Sequence, residues 1–137
     1  MALLSLADKL ELHELAGRYG DAIDDRAWER LDHLFTEDAV FEVRGLDIVM
    51  NGLSEIKAFM DEAGDRHPQA HLMTNIYAFE RGGEVQLRCR GLFPEANTLA
   101  DDKSSVVYHG SYYDTVVKTP AGWRIRHRIY VRGRMND

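Results

Sequence analysis

The residues that could do chemistry in this sequence are six histidines, His13, His33, His67, His71, His109 and His127, and a few carboxylates that could stand beside one of them. His13 and His33 fall on polar positions of helical stretches and read as solvated. His67 and His71 have the four-residue spacing of a helical metal pair, but Pro68 breaks a helix between them and no zinc-protease glutamate follows. With Cys89 as the single cysteine there is no cysteine-based metal cage either, so no metal is expected. His71 opens the strand-like "HLMTNIYAF", whose Leu72, Met73 and Ile76 are apolar, so its ring should be partly buried. Such an imidazole is either a core group bonded to a carbonyl or, with a carboxylate beside it, a general base.

The carboxylate that raises the question is Asp24 in "RYGDAIDDRAW", directly behind the apolar Ile23 at the end of a helical repeat. Beside Asp25 it also fits a solvated turn. His127 alternates with Trp123, Ile125, Ile129 and Val131 and reads as a packed core or interface residue. Arg124, Arg126, Arg128, Arg132 and Arg134 have the alternate spacing of a strand's solvent face. Tyr108, Tyr112 and Tyr113 are either pocket hydroxyls or strand packing. No glycine-rich phosphate loop and no nucleophile elbow occurs, so no nucleotide cofactor is indicated.

The elements that must position these groups follow from periodicity. Leu12, Leu15, Ala16, Tyr19 and Ile23 predict an amphipathic helix from about Ser5 to Ile23. "AWERLDHLF" predicts a second, shorter helix with Trp28, Leu31, Leu34 and Phe35 inward. "AVFEVRG" reads as a short strand, and "NGLSEIKAFMDEAG" as a turn and a third helix with Ser54 as N-cap and Gly64 as C-cap. Four strand-like runs follow, "AHLMTNIYAFE", "EVQLRCRGLF", "SSVVYHGSYYDTVVK" and "GWRIRHRIYVR", joined by "RGG", the longer loop "PEANTLADDK" and "TPAG". The α-α-β-α-β-β-β-β order predicts an α+β fold, with helices on one face of a strongly curved antiparallel sheet. A long helix on such a sheet leaves a cone-shaped space, and its end brings Asp24 to the mouth.

Composition limits the partners. The 137 residues fit one domain, 1–137, and the net charge of -6 argues against nucleic acid. No apolar run of membrane-spanning length and no signal-peptide core is visible, so a cytoplasmic protein with a small-molecule substrate and no membrane partner is expected.

Three stretches carry a resemblance over nearly the whole length: "RYGDAIDDRAWERLDHLFTEDAVFE", "AHLMTNI" and "HGSYYDTVVKTPAGWRIRHRIYV". They are similar to the SnoaL-like members of the nuclear-transport-factor-2-like superfold, which implies a cone-shaped barrel with a deep apolar pocket. Within that superfold the pattern resembles the scytalone dehydratase and hexachlorocyclohexane dehydrochlorinase lyases. The resemblance implies that Asp24 reaches back into the cone to hold His71, and that Arg128, five residues after Trp123, stabilises developing negative charge. It likewise puts Tyr19, Phe41, Leu87 and Tyr112 on the substrate-binding wall. The sequence departs from scytalone dehydratase in having Ile23 before the aspartate and Cys89 near the position of a second pocket histidine. Tyr19 matches a tyrosine of bile-acid dehydratases, which suggests a role in assisting a hydroxyl leaving group.

The implied chemistry is a cofactor-independent elimination or double-bond migration on a small apolar cyclic molecule, in a homodimer or homotrimer. Two other readings fit the same fold: a binding protein without the chemistry, and a polyketide-type cyclase that relies on a pocket acid.

Overall fold

The computed structural model describes residues 4–96 and 105–135. Helix α1 (Leu6–Asp24) begins where Ser5 and Asp8 form a reciprocal capping box, and buries Leu12, Leu15, Ala16, Tyr19, Ala22 and Ile23 along one stripe. The stripe follows the 3.6-residue period, so its last two turns deliver first Tyr19 and then Asp24 to the inner side of the sheet.

The predicted second helix is a single 3₁₀ segment, Trp28–His33, because the chain is already extended at Phe35. Strand β1 (Phe35–Arg44) therefore starts four residues before the predicted Ala39. A short β2 (Ile48–Asn51), which the sequence reading missed, folds back on it. Its brevity and mixed polarity gave no period-2 signal. Helix α2 (Leu53–Ala63) is preceded by Gly52 at φ 93°, a left-handed conformation that glycine takes without strain. The N-cap is thus Gly52 rather than Ser54, which lies inside the first turn. Gly64 ends the helix as predicted and leads into one 3₁₀ turn.

Strands β3 (Leu72–Arg81), β4 (Glu84–Ala96), β5 (Ser105–Thr119) and β6 (Gly122–Arg132) form an antiparallel meander. Of the predicted long loop, residues 97–104 lie outside the described residues, while Pro94 and Ala96 belong to β4. The meander returns β6 beside β1 and parallel to it, giving the order β2-β1-β6-β5-β4-β3. The sheet is therefore mixed and not purely antiparallel, a consequence of closing the meander onto the first strand from the same end. The helices pack on its curled inner face, and the core fills the cone between them. Among the described residues no helix is long and apolar enough to cross a membrane.

Candidate active site

Asp24, the final residue of α1, and His71, immediately before β3, meet across the cone. The Asp24 carboxylate takes both polar handles of His71: Oδ1 accepts from ring Nδ1 at 2.6 Å and Oδ2 accepts from the backbone N–H at 2.9 Å. Carboxylates only accept at neutral pH, so this bond puts the ring proton on Nδ1 and leaves Nε2 with its lone pair. The His71 side chain is 6% exposed and that of Asp24 21%. Burial lowers the basicity of His71 below the ordinary 6.5, and the Asp24 bond offsets only part of that fall. The ring is a neutral base at pH 7.

The clamp depends on a close approach one turn earlier. A methyl group built on Gly20 would stand 2.7 Å from the His71 carbonyl oxygen and 3.2 Å from the Met73 side chain. Gly20 lets α1 touch the chain at His71, and Asp24, four residues on, then reaches the N–H of the same residue.

His71 borders a cavity of about 260 Å³ whose wall includes Tyr19, Phe41, Met50, Phe59, Phe93 and Tyr112. The Phe93 ring stands edge-on to His71 at 5.0 Å and Tyr19 at 6.3 Å, which fixes the imidazole plane. Phe93 and Tyr130 lie over the glycines of two adjacent strands. A methyl group on Gly91 would come within 2.3 Å of the Phe93 ring, and one on Gly110 within 2.2 Å of Tyr130. His67 also reaches the cavity; its Nε2 donates to the Met60 carbonyl at 3.0 Å, and burial lowers its basicity as well. The Tyr19 and Tyr112 phenols are both raised by burial, so both remain protonated donors.

Three sequence expectations are corrected here. Arg128 does not border the cavity: it is 0% exposed and forms a two-pronged pair with Asp114, Nε to Oδ1 and Nη2 to Oδ2, each at 2.8 Å. Its guanidinium carbon lies 4.2 Å from the Tyr19 ring centre and 4.4 Å from that of Tyr112, so these rings stand between it and the cavity. Desolvation works against its charge, but Asp114 outweighs it and raises the Arg128 pKa. Leu87 is fully buried opposite Asp114 on the neighbouring strand, in the core and off the cavity wall.

The third correction has the same origin as the burial of Arg128. Pairing of β5 with β6 slips by one residue, from Val116–Ile125 to Thr115–His127, so Arg126 is an extra residue in β6. Beyond the bulge the alternation inverts: Trp123 and Ile125 face inward, then Arg128 does, and His127 turns out to a half-exposed position bonded to Glu42. His127 is thus not a core residue, and Arg128 does not lie on the solvent face its spacing suggested. Asp114 escaped the sequence reading altogether. Its signal was parity, since it alternates with the buried Tyr112 and Val116.

The structure thus brings Asp24, His71, Tyr19, Phe41 and Tyr112 together and leaves Arg128 and Leu87 behind the wall. Among the described residues no three histidine, cysteine, aspartate or glutamate side chains gather where they could hold a metal.

A helix-covered, curled sheet with a polar pair set in an apolar cone defines a cystatin-like α+β protein of the NTF2-like class. More narrowly, the chain belongs to the SnoaL-like domain family, which it matches over residues 4–129. An uncharacterised protein of Mycobacterium tuberculosis is 30% identical over 131 residues, spanning 94% of this chain and 88% of its own. The crystal structure of an NTF2-like protein from Novosphingobium aromaticivorans superposes with a TM-score of 0.80 at 25% identity, covering 96% of this chain and 85% of that one. A second structure from that organism, of a protein proposed to be a scytalone dehydratase, gives 0.73 at 21% identity over 93% and 85%. At that distance the likeness establishes the fold alone.

Proposed function

We propose that this protein is a cofactor-independent lyase or isomerase acting on a small, apolar, cyclic molecule. The reading rests above all on one observation, the bond from Asp24 to Nδ1 of a nearly buried His71 that borders an apolar cavity. Nε2 of His71 removes a proton from a substrate carbon. The electron pair left behind forms a double bond as a β leaving group departs, or shifts as an enolate that is reprotonated at another carbon. Asp24 holds the tautomer and balances the imidazolium that forms. A wall phenol can meet the growing negative charge: Tyr19 borders the cavity, and its proton can pass to a departing hydroxyl. Arg128 lies too deep to touch the substrate and would contribute through the tyrosine rings stacked on it.

The size of the cavity supports the substrate class. An engineered cavity of about 150 Å³ holds benzene, so about 260 Å³ suits one substituted ring or two fused rings.

The test is a screen of cyclic β-hydroxy ketones and their unsaturated isomers against the wild type and the His71→Gln and Tyr19→Phe variants. The proposal expects turnover that falls by a factor of about 10²–10⁴ in His71→Gln. Ligand binding with no His71-dependent turnover would instead make it a binding protein, and turnover indifferent to His71 would favour the cyclase reading. Full activity in Tyr19→Phe would remove the phenol from the mechanism.

A further inference from the structure

The cavity wall carries two histidines and three tyrosines but no lysine, arginine, aspartate or glutamate among the described residues. Beneath the Tyr19 and Tyr112 rings of that wall lies the Arg128 charge, and it is cancelled: Asp114 binds it through two 2.8 Å bonds, and neither side chain has any exposed surface. The pair joins neighbouring residues of β5 and β6, so the strand register itself sets the match. A buried guanidinium without that carboxylate would give the floor a strong positive potential and invite an anion. One guanidinium nitrogen, Nη1, has no hydrogen-bond partner among the described residues, so the cancellation concerns charge more than hydrogen bonding.

We infer that the cavity selects uncharged ring compounds over carboxylates and ammonium ions of the same shape, and that Asp114 is the residue that sets this preference by silencing Arg128. The inference rests on the cavity at His71 being the ligand site, and it narrows the substrate of the proposed reaction to neutral molecules. An entering anion loses its water and finds no cation on the wall, while the Asp24 carboxylate behind His71 adds repulsion. An entering ammonium ion finds no wall carboxylate, only the cavity-side faces of Tyr19 and Tyr112, whose far faces already hold Arg128. Both histidines lose basicity on burial, which keeps them neutral at pH 7 and consistent with this selection.

The test uses three probes of one skeleton, 2-naphthylmethanol, 2-naphthoate and 2-naphthylmethylammonium, titrated calorimetrically into the full chain at pH 7.5. The wild type is expected to bind the alcohol at least about tenfold more tightly than either ion. Asp114→Asn should raise the affinity for naphthoate relative to the alcohol by about tenfold, because it uncovers the Arg128 charge. That variant leaves a buried charge unpaired and could unfold, so Asp114→Leu combined with Arg128→Met is measured beside it. With both charges gone, the wild-type order is expected to persist within about twofold.

Equal or tighter binding of either ion by the wild type would overturn the inference. So would a folded Asp114→Asn protein with an unchanged ratio, or a double variant that loses the preference for the alcohol. None of these readouts needs turnover: absence of His71-dependent catalysis with the selectivity intact would refute only the proposed reaction.

Discussion

Replacing Gly20 by alanine probes how the fold builds its site. The added methyl would sit 2.7 Å from the His71 carbonyl oxygen, where ordinary contact begins at 3.4 Å, so α1 must retreat from β3 by roughly 0.7 Å. If the helix moves as a unit along that line, the 2.6 Å bond from His71 Nδ1 to Asp24 stretches to roughly 3.3 Å, beyond a good hydrogen bond. The matched control is Gly17→Ala, one turn earlier on the exposed side, where a methyl meets nothing within 4 Å. Both changes gain the same helix propensity, about 1 kcal/mol, so the difference between them isolates the clash. That difference is expected to be about 1–3 kcal/mol, the usual cost of overpacking. At about 3–5 °C per kcal/mol for a domain of this size, Gly17→Ala should melt above the wild type and Gly20→Ala well below Gly17→Ala. Calorimetry measures the gap, and a crystal structure of Gly20→Ala measures the clamp. Equal melting temperatures, or a clamp still at wild-type length, would refute the argument that Gly20 sets the Asp24–His71 distance.

Further outcomes follow from the same structure. His67 and His71 are both less basic in the folded chain than the ordinary 6.5, so the unfolded chain binds more protons on acidification. Their contribution to stability should be complete above pH 6.5 and lost as pH falls through their lower folded values; thermal melts from pH 7.5 to 5 check this, and His71→Gln should flatten the curve. Burial pushes the Cys89 thiol up to about 12, so a disulfide reagent should label it only after unfolding, and rapid labelling of the native chain would contradict its place in the core. We propose a homodimer or homotrimer, and sedimentation showing a monomer at micromolar concentration would count against it.

What could be read from the sequence was what has a clean period. The stripe Leu12, Leu15, Ala16, Tyr19, Ile23 placed α1 and left Asp24 at its inner end, and the alternating runs gave the meander. The bulge at Arg126 could not be read, because one extra residue inverts a strand's two faces without marking the composition. That inversion misplaced His127 and hid the partnership of Arg128 with Asp114, which depends on the register of two strands. The clamp at Gly20 was equally invisible, since it needs the helix-to-strand distance.

The most direct measurement is the ¹⁵N spectrum of the His71 ring as a function of pH. The account expects the neutral ring to carry its proton on Nδ1, bonded to Asp24, with Nε2 unprotonated and titrating below 6.5. A neutral ring protonated on Nε2 would show that Asp24 does not prepare His71 as a base, whereas titration above 6.5 would show only that the Asp24 bond outweighs burial.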